Sequence, residues 1–295
     1  MNIIITGATG LLGRYVNEVI GEQYNLILLS RQKNEDTIYT DYSIDSLKKI
    51  MSENNISTVV HLAGSRIQAN SLLDYNNEQK MLSNIFEASN ETNIKKVIIA
   101  SSISVYSDVE KLPWNETQVH TPKSFYGINK MTTEKVSELY GHKYNIDVIN
   151  LRLSHLYGAN EKNNYMINIF MRKAFKGLEI EVHNECIVKR EFLYAKDAAY
   201  AILCAINSDV SGTFNIVGKE ILSNLEVAEK IIIGMNSNSL VVRYNENVVD
   251  NILPSYMDGK LALDVLKFEP KYTFIESINE IKTEMEKLEN VPEIY

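Results

Sequence analysis

Short apolar runs alternate with helical patterns through the first half of the chain. Ile3–Ile5 is a run of three isoleucines that reads as a buried strand, and Gly7-Ala8-Thr9-Gly10 then turns the chain. Leu11, Leu12, Tyr15, Val16, Val19 and Ile20 follow at the spacing of one helix face. Leu26–Leu29 predicts a second strand, and Leu47, Ile50 and Met51 mark a helix opened by Ser43 as its N-cap. Thr58–Leu62, Lys96–Ala100 and Val148–Leu153 repeat the strand pattern, with Met81, Leu82, Ile85 and Phe86 as a helical face between the first two. Apolar strands alternating with helices imply a parallel sheet covered on both faces. Right-handed crossovers make a doubly wound α/β sheet the economical arrangement.

Beyond about residue 155 the pattern loosens. Asn160–Asn164 is a polar loop, Ile167–Phe175 and Ala195–Ile206 read as helices, and Gly212–Val217 as a strand. Ile275, Ile278, Ile281, Met285 and Leu288 outline an amphipathic surface helix. No internal repeat or low-complexity tract interrupts the chain.

Composition narrows the class. The 295 residues are 45% hydrophobic, enough for a substantial core without staples. The net charge of -8 lacks the basic footprint of a nucleic-acid binder. Cys186 and Cys204 form no CxxC pair, and no stretch approaches the ~20 apolar residues of a membrane span. A cytoplasmic protein with reduced thiols is expected, with neither nucleic acid nor membrane as partner.

Gly7, Gly10 and Gly13 form G-x-x-G-x-x-G directly between a strand and a helix. In that context the glycines permit a tight turn, close approach of backbone to a pyrophosphate, and close helix–strand packing. The helix N–H groups then face the anion. This is the expected dinucleotide-binding turn of a Rossmann sheet. An NAD site ordinarily carries an acid about 20 residues on, for the ribose 2′-hydroxyl. Here that point reads Leu29-Ser30-Arg31-Gln32. Arg31 either pairs a 2′-phosphate, which favours NADP(H) with NAD(H) as the other possibility, or is a solvated loop residue.

Tyr126-Gly127-Ile128-Asn129-Lys130 puts Tyr and Lys at i and i+4 on one helix face. Ser101-Ser102 follows the strand ending at Ala100, on the sheet edge where α/β proteins bind ligands. Hydride transfer at a carbinol needs a group that takes the hydroxyl proton. A free phenol, with a pKa near 10, needs help to do so at neutral pH. An adjacent ammonium from Lys130 and an oxidised nicotinamide would both favour the phenolate, while Ser102 holds the substrate oxygen. Of the histidines, His61 at a strand end reads as a packed, hydrogen-bonded core residue. His120, His142 and His183 share no metal-ligand spacing, and no metal is expected. Trp114 either covers the site's mouth or anchors packing.

Together these residues resemble the extended short-chain dehydrogenase/reductases, in particular the NAD-dependent epimerase/dehydratase family acting on nucleotide sugars. The likeness runs over nearly the whole chain: Thr6–Gly13, Val60–Gly64, Ala100–Tyr106, Ser124–Gly127 with Lys130, Leu151–Leu153 with Tyr157-Gly158, Arg190–Tyr194 with Asp197, and Gly212–Ile216. The resemblance implies that Ser102, Tyr126 and Lys130 are catalytic and that Gly7, Gly10, Leu11, Leu12 and Gly13 cradle the cofactor. Leu62, Ala63 and Gly64 would line its ribose and nicotinamide side, and Asp41 resembles an acid that bonds the adenine. Arg66, just past the Leu62–Gly64 run, reads as an ordinary loop residue, with contact to a cofactor phosphate as the lesser alternative. Arg190 matches an arginine on the substrate diphosphate, with Ser102, Ser104 and His155 also facing the substrate. Residues 1–155 with 190–217 would form the NAD(P)-binding Rossmann domain, and 156–189 with 218–295 a small C-terminal substrate-binding lobe. A homodimer is implied through the helix bearing Tyr126 and the one before it.

Four departures sharpen the expectation. Sugar 4,6-dehydratases carry Asp-Glu after the catalytic Ser/Thr; Ile103 and Ser104 stand there and can do neither job. The acid after the second strand is missing. No second diphosphate arginine occurs near Leu253-Pro254-Ser255, leaving Lys260 as a substitute, and His155 replaces a common Asn. The expected partner is a nucleotide-diphosphate sugar handled at C4. NADPH-dependent reduction of a 4-keto sugar is preferred, 4-epimerisation with tightly bound NAD is the alternative, and a dinucleotide-binding regulator without catalysis is disfavoured.

Overall fold

The computed structural model describes residues 1–288 apart from Asn34, residues 65–70, Asn160 and Lys162. Arg66 therefore lies outside the described residues. The first half alternates strand and helix, with β3 and α4 added to the elements the hydrophobic pattern marks: β1 (Asn2–Thr6), α1 (Leu11–Ile20), β2 (Asn25–Ser30), β3 (Ile38–Tyr39), α2 (Ile44–Glu53), β4 (Ile56–His61), α3 (Leu72–Glu91), β5 (Lys96–Ser102), α4 (Phe125–Tyr144) and β6 (Asp147–Leu153). After these come β7 (His155–Tyr157), α5 (Met166–Phe175), β8 (Ile180–His183), β9 (Arg190–Tyr194), α6 (Ala195–Asn207), β10 (Gly212–Ile216), β11 (Ile221–Leu222), α7 (Asn224–Met235), β12 (Val241–Tyr244) and α8 (Phe274–Glu286).

Seven parallel strands form the central sheet in the order β10-β6-β5-β4-β1-β2-β3. The winding direction reverses between β1 and β4, and such a switch point opens a crevice at the carboxyl edge of the sheet. Side chains alternate across a strand, so Ile3 and Ile5 enter one core with Val16 and Ile20 of α1. Ile4 enters the other with Leu47 and Met51 of α2 and Leu82 and Phe86 of α3. Both layers are closed, which is why the strands read as continuous apolar runs. This is the expected Rossmann-type α/β fold.

The later elements form a three-stranded sheet, β11-β9-β7, and a two-stranded one, β12-β8. These strands and α7 lie outside the elements the pattern predicts. With two to five residues each, the strands are too short to show a period. The segment Ser255–Asp258 laces the two halves together. Glu191 N–H donates to Ser255 O at 2.9 Å, Trp114 N–H to Tyr256 O at 3.1 Å, and Asp258 N–H to Trp114 O at 2.8 Å. Among the described residues no helix is long and apolar enough to cross a membrane.

Helix ends follow local chemistry. Ser43 caps α2 as predicted, and α8 opens with a full capping box in which Thr273 and Glu276 satisfy each other's backbone N–H groups. Thr273→Ala is expected to lower the unfolding free energy by about 1 kcal/mol with unchanged turnover. Urea unfolding checks this, and an unaltered midpoint would contradict it.

Candidate active site

The glycine turn is shaped by what stands opposite it. Gly7 has φ +68°, and a Cβ there would come within 2.7 Å of Ala63 N, so only glycine lets the turn meet the end of β4. Gly10 N–H closes the turn onto Gly7 O at 3.0 Å, and Gly13 sits directly against the Gly7–Ala8 backbone. Thr6 Oγ1 accepts Leu62 N–H and Ala63 N–H, each at 3.1 Å, and bonds His61 Nδ1 at 2.8 Å. α1 begins after Gly10 with no side-chain cap, as α5 and α6 also do, but α1 alone of these three follows the glycine turn. Its first N–H groups are thus left for an anion. The glycine cradle and the uncapped helix both fit a dinucleotide's pyrophosphate.

A cavity of about 500 Å³ opens beside the turn at the carboxyl edge of the sheet. It brings Leu11, Leu12, Leu62 and Gly64 together with Ser102, Ser104, Tyr126 and Lys130, and reaches His155 and Arg190 on the far side. Gly7, Gly10, Gly13 and Ala63 underlie the wall rather than line it. Arg31 and Asp41 are exposed at the ends of β2 and β3, outside the cavity lining. The Asp41 carboxylate accepts Ser43 N–H at 2.9 Å and Ser43 Oγ–H at 2.7 Å, bonds that hold its pKa below the usual carboxylate range. Lys260 is exposed and does not line the cavity.

Three elements place Ser102, Tyr126 and Lys130, the candidate acid–base groups. Ser124 Oγ caps α4 by accepting Gly127 N–H at 3.0 Å. A Cβ on Gly127 would fall 2.2 Å from Ser104 O, so the glycine after Tyr126 lets the helix start rest on the Ile103–Val105 turn. One helical turn later Lys130 Nζ donates to Ala100 O at 3.0 Å and lies 5.7 Å from the Tyr126 ring centroid. Ser102 Oγ accepts Ser104 N–H at 3.1 Å, which leaves its own hydrogen to donate into the cavity.

Among the described residues the opposite wall carries a single guanidinium, that of Arg190. Arg190 donates from Nη2 to Asn224 Oδ1 at 2.8 Å, while its Nε is buried with no hydrogen-bond partner among the described residues. A buried donor in that state is costly unless a ligand satisfies it. His155 Nε2 pairs with Ser255 Oγ at 3.0 Å. Burial, aided by the Arg190 charge, pushes the His155 pKa down to about 4, so the ring is neutral. Sequence reasoning missed Glu161 and Asn168, which line the same wall; Asn168 Oδ1 is buried and unpartnered among the described residues. Glu161 comes from the loop before α5 and Asn168 from the first turn of α5, so only the folded chain brings them together. Trp114 proves to be a packing anchor: it is 4% exposed, stacks on Tyr106 at 5.4 Å and donates to Asp108 O at 2.7 Å.

With this geometry in view, the comparisons decide the family. A model described as the NAD dependent epimerase/dehydratase family matches residues 3–217. The chain belongs to that family. Its fold is similar to that of a UDP-N-acetylglucosamine 4-epimerase from Bacillus cereus, at 38% identity, 99% of each chain and a TM-score of 0.90. A dTDP-4-dehydro-6-deoxyglucose reductase from Escherichia coli is 24% identical over 95% of this chain and 96% of its own. A UDP-glucuronic acid 4-epimerase from Bacillus cereus, solved with UDP-glucuronic acid and NAD, shares the fold at 19% identity, TM-score 0.80, covering 96% and 99% of the two chains. The protein is a nicotinamide-dependent enzyme of the extended nucleotide-sugar epimerase/reductase group.

His61 gives a pH test of the turn. Burial, with the nearby Lys130 charge, pushes its pKa from 6.5 down to about 3. Between those values the unfolded chain binds a proton that the folded one refuses, so stability is lost as pH falls through that window. His61→Gln is expected to remove about 1.4 kcal/mol of acid destabilisation per pH unit in that window. Urea unfolding from about pH 6 to about pH 4 reads the slope, and parallel slopes for the two proteins would contradict the assignment.

Proposed function

We propose that the protein interconverts the configuration at C4 of a nucleotide-diphosphate sugar, with NAD held as a recycled carrier. The observation that carries the reading is the convergence in one cavity of Ser102, Tyr126 and Lys130 with Arg190, whose Nε has no hydrogen-bond partner among the described residues. The 38% identity to a UDP-N-acetylglucosamine 4-epimerase over 99% of both chains supports epimerisation.

Bound on the glycine turn, along Leu11, Leu12, Leu62, Ala63 and Gly64, the dinucleotide supplies reversible hydride transfer at the sugar carbon. The chain's own work is proton handling and orientation. Tyr126 Oη takes the C4 hydroxyl proton and later returns it. Lys130, anchored on Ala100 O, is held one helical turn from the phenol, its Nζ 5.7 Å from the Tyr126 ring centroid. Ser102 donates to the C4 oxygen, so charge developing there meets a preset donor. Arg190 holds the diphosphate through Nε while the sugar turns. Neutral His155, its orientation set by Ser255, offers its remaining ring nitrogen on the same wall. Ile103 and Ser104 supply no acid–base pair, so elimination of water is not part of the proposal. The pairing of chains through α3 and α4 is proposed as well; Leu139 on α4 is 70% exposed.

NADPH-dependent reduction of a 4-keto nucleotide sugar is the second reading, favoured by Arg31 at the end of β2. Purified protein incubated with UDP-N-acetylglucosamine or UDP-glucose and no added cofactor is expected to form the C4 epimer. Stoichiometric NADPH consumption on a 4-keto sugar without any interconversion would replace epimerisation by reduction. A preference for NADPH that disappears in Arg31→Ala would tie that outcome to the 2′-phosphate. Tyr126→Phe is expected to lower turnover at least ~100-fold with dinucleotide binding retained; unchanged turnover would remove Tyr126 from its role.

A further inference from the structure

We propose that Glu134 and Arg152, a buried ion pair beneath the cavity, are positioning residues that set Ser102 against Tyr126 and Lys130. The inference rests on the acid–base centre proposed above. The side chains are 0% and 2% exposed, and neither lines the cavity. Arg152 forks onto the carboxylate, Nε to Oε1 at 3.0 Å and Nη2 to Oε2 at 2.8 Å. Replacing such a pair with packed apolar groups is often neutral or stabilising, so stability alone is a weak reason for it.

What the pair holds is informative. Tyr126, Lys130 and Glu134 follow at i, i+4 and i+8 on α4, one face over two turns. Three consecutive residues of β5 meet that face: Ala100 O accepts Lys130 Nζ, Ser101 Oγ donates to Glu134 Oε1, and Ser102 turns its hydroxyl into the cavity. The register of helix against strand is thus fixed by polar bonds on the two residues directly before Ser102. An apolar interface would permit small slides; these bonds do not.

The pair also reaches the substrate wall. Arg152 Nη1 donates to the Tyr106 hydroxyl and Nη2 bonds His120 Nε2. Tyr106 donates to Asn215 Oδ1 at 3.0 Å, and Asn215 Nδ2 donates to Trp114 O at 3.0 Å and Asp258 O at 3.2 Å. That is the segment whose Ser255 orients His155. One connected network therefore seats both the proton-transfer groups and the wall facing the sugar.

Glu134→Gln, Arg152→Gln and the double variant test this, with kcat and KM measured on folded protein alongside thermal stability and dinucleotide affinity. Displacement of reacting groups by a fraction of an ångström predicts a kcat lower by between about 10- and 100-fold in each single variant. KM and dinucleotide affinity are expected to stay near wild type, and the double variant to be no worse than the poorer single, because both break one unit. Ser101→Ala, which removes one bond and leaves the pair, is expected to cost about fivefold in kcat and keeps the test alive if the other variants do not fold. Wild-type kcat in folded Glu134→Gln or in Ser101→Ala, or single losses that multiply in the double variant, would overturn the proposal. Each result is a ratio to wild type, so failure here leaves the proposed reaction standing.

Discussion

The Thr6 hydroxyl, at the last residue of β1, binds the Leu62 and Ala63 N–H groups at 3.1 Å each and locks the end of β4 against the glycine turn. The dinucleotide side of the carboxyl edge depends on that junction. It sits where the sheet reverses direction, so it stitches together the two strands that would otherwise splay at the crevice. Gly7 can make this contact because it carries no Cβ, and α1 can point free N–H groups over it because Gly10 offers no cap. The place where a dinucleotide fits is therefore built from backbone, which explains how so few side chains are needed there.

Helix α4 solves a different problem. α4 meets β5 and β6 through buried polar groups: Lys130 on Ala100 O, Glu134 on Ser101 and Arg152, Ser137 on Asn150 at 3.2 Å. In a low-dielectric interior such contacts are directional and unforgiving of displacement. They give up some of the non-directional gain of apolar burial in exchange for a defined register, which suits a helix that must hold a phenol and an ammonium beside a strand-end serine.

The physical reason some features were legible in the sequence is range. β1 is buried on both faces, so Ile3–Ile5 announces itself, and the helix after it carries a period fixed by local geometry. Ser102, Tyr126 and Lys130 stand out because a strand end and a single helix turn are short-range features. Arg190 and His155 were found through family resemblance and not from spacing. The alternation says nothing of β8, β9, β11 and β12, which are short and paired over long separations. Glu134 had a signal, its place four residues after Lys130, but its meaning lies in Arg152 on the neighbouring strand β6. The missing acid at Arg31 pointed toward NADP(H); in the fold that residue is exposed and outside the cavity lining, and the comparisons support a nicotinamide cofactor without supporting that preference.

The central claim is that one acid–base centre serves removal and return of a hydride at the same carbon. The most direct measurement uses a UDP-sugar carrying deuterium at C4, incubated with the enzyme as purified and no added dinucleotide. The account predicts the C4 epimer with the label still on C4. Loss of the label to solvent, or no epimer at all while added NADPH is consumed on a 4-keto sugar, would contradict it.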